Sequence, residues 1–106
     1  VERLLDRRVP FSAIFAANDQ MAFGAALALH RRGLRVPEDV SLVGFDDLAS
    51  AVYASPPLST VQQPGYDIGR LAAQSMLQLL AGTQPDAVLP APRLIVRESS
   101  SAPGAA

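Results

Sequence analysis

Three polar pairs follow directly on apolar runs in this sequence: Asn18-Asp19, Asp46-Asp47 and Gln62-Gln63. A carboxylate only accepts hydrogen bonds and takes two hydroxyl protons at once, whereas the side-chain amides of Asn18 and Gln63 both donate and accept. Together such groups suit recognition of a polyhydroxylated or otherwise polar small molecule. They are poorly suited to catalysis. The chain has no Cys to supply a thiolate, its single His30 stands beside Arg31 and Arg32, and no glycine-rich phosphate loop is present. No enzymatic activity, cofactor or metal is therefore expected. Adjacent carboxylates at a strand end can hold Mg²⁺ in a phosphoryl-accepting domain, but such domains depend on a lysine and this sequence has none. Each polar group also has a structural alternative: Asn18 as a helix cap, Asp46 and Asp47 as turn residues, Gln63 as a partner of the next helix start.

Positioning these groups requires strands that end where they begin. Residues 41–47, Ser-Leu-Val-Gly-Phe-Asp-Asp, read as a buried parallel strand whose carboxyl end delivers Asp46 and Asp47. Residues 12–17 contain Ala-Ile-Phe-Ala without polar alternation, so a strand covered on both faces is expected, ending at Asn18-Asp19. Asn18 or Asp19 then caps a helix that Gly33 terminates after His30-Arg31-Arg32. Residues 21–29 of that helix are apolar all round, whereas a helix lying on a sheet needs only one apolar stripe. A second cover, from another subunit or domain, is expected there, with Phe23, Ala26 and Leu27 as interface residues.

Residues 36–39, Val-Pro-Glu-Asp, are turn chemistry. A short helix over 48–53 and a strand over 58–61 follow, leading to Gln62-Gln63-Pro64. Ile68, Leu71, Ala72, Ser75, Met76, Leu79 and Leu80 then keep helical spacing up to Gly82. Residues 87–89 and 93–97 read as edge strands between prolines, and 99–106 as a tail that frays beyond a domain of residues 1–98. At the other end Val1, Leu4 and Leu5 share one helical face, so the sequence is expected to start inside a helix, as a fragment. The order α-β-α-β-α-β-α-β predicts an α/β fold, an open, mostly parallel sheet flanked by helices with right-handed crossovers. Asn18, Asp46 and Gln63 then share the carboxyl edge of the sheet, where ligands of such folds bind.

With 106 residues there is room for one domain, and 49% hydrophobic against 18% charged residues excludes disorder while leaving apolar surface for a partner. The net charge is −1 and every cationic side chain is Arg, so no basic field tracks a phosphate backbone and this chain is not expected to bind DNA by itself. Lack of Cys fits a reducing compartment. The apolar run over 21–29 is too short to span a bilayer.

Four stretches resemble one family, in its order: 15–26 (Phe-Ala-Ala-Asn-Asp-Gln-Met-Ala-Phe-Gly-Ala-Ala), 33–40 (Gly-Leu-Arg-Val-Pro-Glu-Asp-Val), 43–47 (Val-Gly-Phe-Asp-Asp) and 56–64 (Pro-Pro-Leu-Ser-Thr-Val-Gln-Gln-Pro). They are similar to the effector-binding region of LacI/GalR-family transcriptional repressors. The resemblance implies a type I periplasmic-binding-protein-like fold, of which this chain is most of the C-terminal subdomain. A DNA-binding helix-turn-helix, a hinge and an N-terminal subdomain are then expected upstream. It also implies effector contacts at Asn18, Asp46 and Gln63, and a dimer interface on the helix carrying Phe23, Ala26 and Leu27, with Phe23 where many relatives have Leu. The function expected is cytoplasmic transcription regulation by a sugar, nucleoside or related polar effector, with operator DNA bound only through the upstream domain of a homodimer. The alternative is a periplasmic sugar-binding protein of a transporter, which shares the fold.

Overall fold

Helices and strands alternate from end to end in a computed structural model of the chain, which describes residues 1–104. The elements are α1 (Glu2–Asp6), β1 (Ala13–Phe15), α2 (Asp19–Arg31), β2 (Ser41–Val43), a 3₁₀ helix (Ala49–Tyr53), β3 (Thr60–Gln62), α3 (Gly65–Leu80) and β4 (Arg93–Ile95). The order expected from the sequence is the order found. By contact the chain divides into two compact units, Val1–Gln62 together with the chain from Leu94 onward, and Gln63–Arg93.

In the first unit β1 and β2 pair in parallel, with Ala13 opposite Ser41, Ile14 opposite Leu42 and Phe15 opposite Val43. Parallel bridges from Val43 to Ser59 and from Asp46 to Gln62 continue the sheet to β3. β3 in turn pairs with β4. Backbone bonds from Asp19 N–H to the Phe45 carbonyl (2.9 Å) and from Asp46 N–H to the Val61 carbonyl (2.8 Å) carry the pairing past the strand ends. The carboxyl ends of three strands are therefore laced together by main-chain bonds, and the polar pairs begin there.

Small side chains let α2 lie close on the sheet. Ala22 and Ala25 pack with Ala16, Leu42, Ala51 and Leu58 in one buried cluster, and Leu29 is fully enclosed. The helix stops at Gly33, whose φ of 71° is costly for a residue with a Cβ. The N–H of Leu34 bonds back to the Leu29 carbonyl at 3.0 Å, closing the last turn. Before β2, the Arg35 guanidinium binds both carboxylate oxygens of Asp39 at 2.8 and 2.9 Å, and the Arg35 N–H adds a third bond at 2.8 Å. These hydrogen bonds hold the Asp39 carboxyl well below the usual carboxylate range.

Several expectations are corrected. β1 is not covered on both faces: Phe15 is 67% exposed. Residues 87–89 form no strand, because Pro85, Pro90 and Pro92 deny the segment the N–H groups a ladder needs. Pro85, Ala87 and Leu89 instead line a pocket with Ile68, Leu71 and Ala72 of α3, within the second unit. At the start of the tail expected to fray, Ser99 to Ser101 are bonded to the sheet. Ser99 is buried, its hydroxyl donates to the Leu42 carbonyl at 2.5 Å and accepts from the Ser59 N–H at 2.8 Å, and Ser101 bonds with Ser41. A short polar serine can satisfy main-chain groups at the edge of the sheet, which its solubility does not reveal. Ala105 and Ala106, the end of that expected tail, lie outside the described residues.

Candidate functional site

Asn18 takes up the chain as it leaves β1. Its extended backbone (φ −155°, ψ 170°) lets the side-chain oxygen accept the Met21 N–H at 2.8 Å, capping α2. Asp19, the other capping possibility, does something else. Its carboxylate is fully buried and accepts from the Thr60 hydroxyl at 2.5 Å and the Leu48 N–H at 2.7 Å. A charge taken out of water needs such partners. Gly44 leaves the room: a Cβ there would collide with Asp19 Oδ1 and lie 3.2 Å from the Asp19 Cα.

The two carboxylates after β2 are divided between tasks. Both residues have left-handed backbone, φ 111° at Asp46 and 57° at Asp47, a conformation that Asp tolerates better than most residues. Asp46 is exposed at the carboxyl end of the sheet. Asp47 turns inward, 2.8 Å from an Arg97 guanidinium nitrogen, and accepts the Gln62 side-chain amide at 2.9 Å. This pair is nearly enclosed, with the Arg97 side chain 17% and that of Asp47 11% exposed. Arg97 also donates to the Leu58 carbonyl at 2.9 Å. Asp47 therefore works as the turn residue the sequence allowed.

The structure places Asn18 and Asp46 in the first unit, at the ends of neighbouring parallel strands. Gln63 is exposed and opens the second unit. Among the described residues no three or more His, Asp or Glu gather into a group able to hold a metal ion. What the strand ends present is one exposed carboxylate and one half-buried amide on a rigid main-chain platform, an arrangement for binding polar groups.

A family of known proteins, the periplasmic binding protein-like domain, matches residues 1–100. The chain belongs to this family. Within it, the periplasmic binding protein-like chain is similar to LacI-type regulators. It is 43% identical over 101 residues to the probable HTH-type transcriptional repressor ExuR of Bacillus subtilis (strain 168), covering 93% of this chain and 30% of that protein. The solved structure of a dimeric Lac repressor with an 11-residue C-terminal deletion superposes with a TM-score of 0.87 at 35% identity, covering 97% of this chain and 38% of that one. A complex of the transcriptional regulator CelR with cellobiose gives a TM-score of 0.84 at 41% identity, over 93% and 31% of the two chains. This periplasmic binding protein-like chain thus spans about a third of the proteins it resembles.

Interface candidates of the periplasmic binding protein-like chain fall on two surfaces. Phe23 and Ala26 are half-buried against the chain's own core and line a cavity of about 200 Å³ with Val36, Leu42, Ala54 and Pro56. Leu27 is 49% exposed and lines a separate groove with Leu4, Phe15 and Met21. Sequence reasoning missed Asp19, Thr60 and Arg97 as the frame of the site. A faint signal existed for Arg97, a cation that directly follows the apolar run Leu94-Ile95-Val96.

Proposed function

We propose that this chain is the C-terminal part of the effector domain of a transcriptional regulator, and that Asn18 and Asp46, both in its first unit, contact a small polar effector of sugar or nucleoside type. The observation that carries the reading is the placement of Asn18 and the exposed Asp46 at the carboxyl ends of adjacent parallel strands, where α/β proteins of this construction bind ligands. Repressors among the relatives, and a neighbour solved with cellobiose, support a regulator over a transport protein. Effector binding biases the closure of the whole effector domain, and operator DNA is bound by an upstream helix-turn-helix of a cytoplasmic homodimer. Exposed apolar side chains at Met21 and Leu27 on α2 support a subunit contact on that face of the helix. The role is binding and not catalysis. No helix among the described residues is long and apolar enough to cross a membrane.

The test is a thermal-shift panel on the full-length protein with pentoses, hexoses, disaccharides and nucleosides. A ligand that binds only the folded state stabilises it by about 2.7 kcal/mol at a hundred times its dissociation constant. A shift that vanishes in Asp46→Asn supports the site. A shift of the same size in that variant overturns it.

A further inference from the structure

We infer that Arg97 is a positioning residue for the polar strand end: clamped to Asp47, it holds Asp46 in the left-handed backbone that leaves this residue exposed. Two successive non-glycine residues with positive φ persist only where their surroundings over-determine them. Here the restraints come from separate parts of the chain. Asp46 N–H donates to the Val61 carbonyl, Leu48 N–H donates to the Asp19 carboxylate, and between them the Asp47 side chain is held by Arg97 and Gln62.

Arg97 can act as a clamp because its own place is fixed by other parts of the chain. Its N–H donates to the Ser59 hydroxyl at 2.9 Å, the next N–H, of Glu98, donates to the Pro57 carbonyl at 3.0 Å, and Ser99 is bonded to both Leu42 and Ser59. The planar guanidinium then spans two targets, Asp47 Oδ1 and the Leu58 carbonyl, with separate nitrogens. A nearly enclosed pair is screened little by salt. Without Arg97 the Asp47 carboxylate loses its ion pair and retains the bond from the Gln62 amide, while the Asp47 N–H keeps its long 3.4 Å contact to the Thr60 hydroxyl, and the charge swings toward water with the loop. The consequence for ligand binding rests on the proposed role of Asp46.

Hydrogen exchange read by mass spectrometry on the ligand-free full-length protein tests this. In Arg97→Met the amides of residues 45–48 are expected to exchange about tenfold faster while α2 and β1 keep their protection. Arg97→Lys, which retains the charge but not the fork, restores part of it. Asp47→Asn keeps the side chain's size, removes the ion pair, and serves if Arg97→Met does not fold; it loosens the same peptide. Unchanged exchange over 45–48 in Arg97→Met or Asp47→Asn, or an equal rise along the whole chain, overturns the inference. The ligand panel separates the two readings. A loosened loop with an unaltered panel response leaves Arg97 its role and overturns Asp46 as an effector contact, whereas a tight loop with a lost response does the reverse.

Discussion

The carboxylate of Asp19 occupies the space in which a side chain at position 44 would begin. Any Cβ on Gly44 would meet Asp19 Oδ1 at once, with Leu58 Cδ2 at 3.0 Å behind it. The close approach lets one buried charge gather the Thr60 hydroxyl and the Leu48 N–H, so α2, the loop after β2 and the start of β3 meet at a single acceptor. Glycine at 44 is thus a requirement of the helix facing it.

Gly44→Ala should be destabilised by about 3 kcal/mol, because the Asp19 backbone cannot give way and the carboxylate can move only by abandoning its donors. Urea unfolding would show a lower midpoint with unchanged slope. A variant as stable as the parent would mean that Asp19 is held less firmly than its bonds indicate.

Asp46 offers a separation of stability from binding. At φ 111° a glycine is unstrained, so Asp46→Gly should unfold within about 0.5 kcal/mol of the parent, while Asp46→Ala loses about 1 kcal/mol more. Both should weaken effector binding by about 1.5–3 kcal/mol if the carboxylate accepts ligand hydroxyls. Calorimetric titration beside thermal melts reads the two effects apart.

For Asn18 the contrast is between Ala and Asp. Asn18→Ala removes the bond to the Met21 N–H and should cost about 1 kcal/mol of stability. Asn18→Asp keeps an accepting oxygen at a helix N-terminus and should melt within a degree or so of the parent. Loss of ligand binding in both variants, with stability retained in Asn18→Asp, would identify the amide donors as the contact, since the cap is intact there.

The Arg35 and Asp39 pair makes a pH prediction. The Asp39 carboxyl lies below its ordinary range, chiefly through its hydrogen bond with the Arg35 guanidinium and then that with the Arg35 N–H. Its contribution is therefore complete above the unfolded value of about 4 and is lost as pH falls below that toward the lower folded value. Melting temperatures of the parent and Asp39→Asn should differ at pH 7 and converge in acid. A gap that does not shrink as the pH falls from about 4 into strong acid would assign the effect to something other than ionisation.

The order of elements was legible in the sequence because apolar runs end in polar pairs and the long helices have a local stop, as at Gly33 and Gly82. Asp46 and Asp47 were legible as a strand end for the same reason. Their division of labour was not, since the partner that turns Asp47 inward is Arg97, which no local spacing connects to it. Asp19 looked like a second capping residue because nothing in Asn-Asp-Gln shows that Thr60 will arrive above it. The break into two units was hidden too: α3 has a regular apolar stripe, yet none of its residues is buried. Periodicity reports which face of a helix seeks cover and is silent on what supplies it.

The anchoring of Ser99 has a consequence for synthesis on the ribosome. Leu42 and Ser59 emerge 57 and 40 residues ahead of the serine that completes their hydrogen bonds. Until translation reaches that point, the amino-terminal ends of β2 and β3 remain open to water or to a chaperone. Closure of this sheet therefore waits on Ser99, and a nascent chain halted short of that residue exposes strand edges that the longer chain conceals.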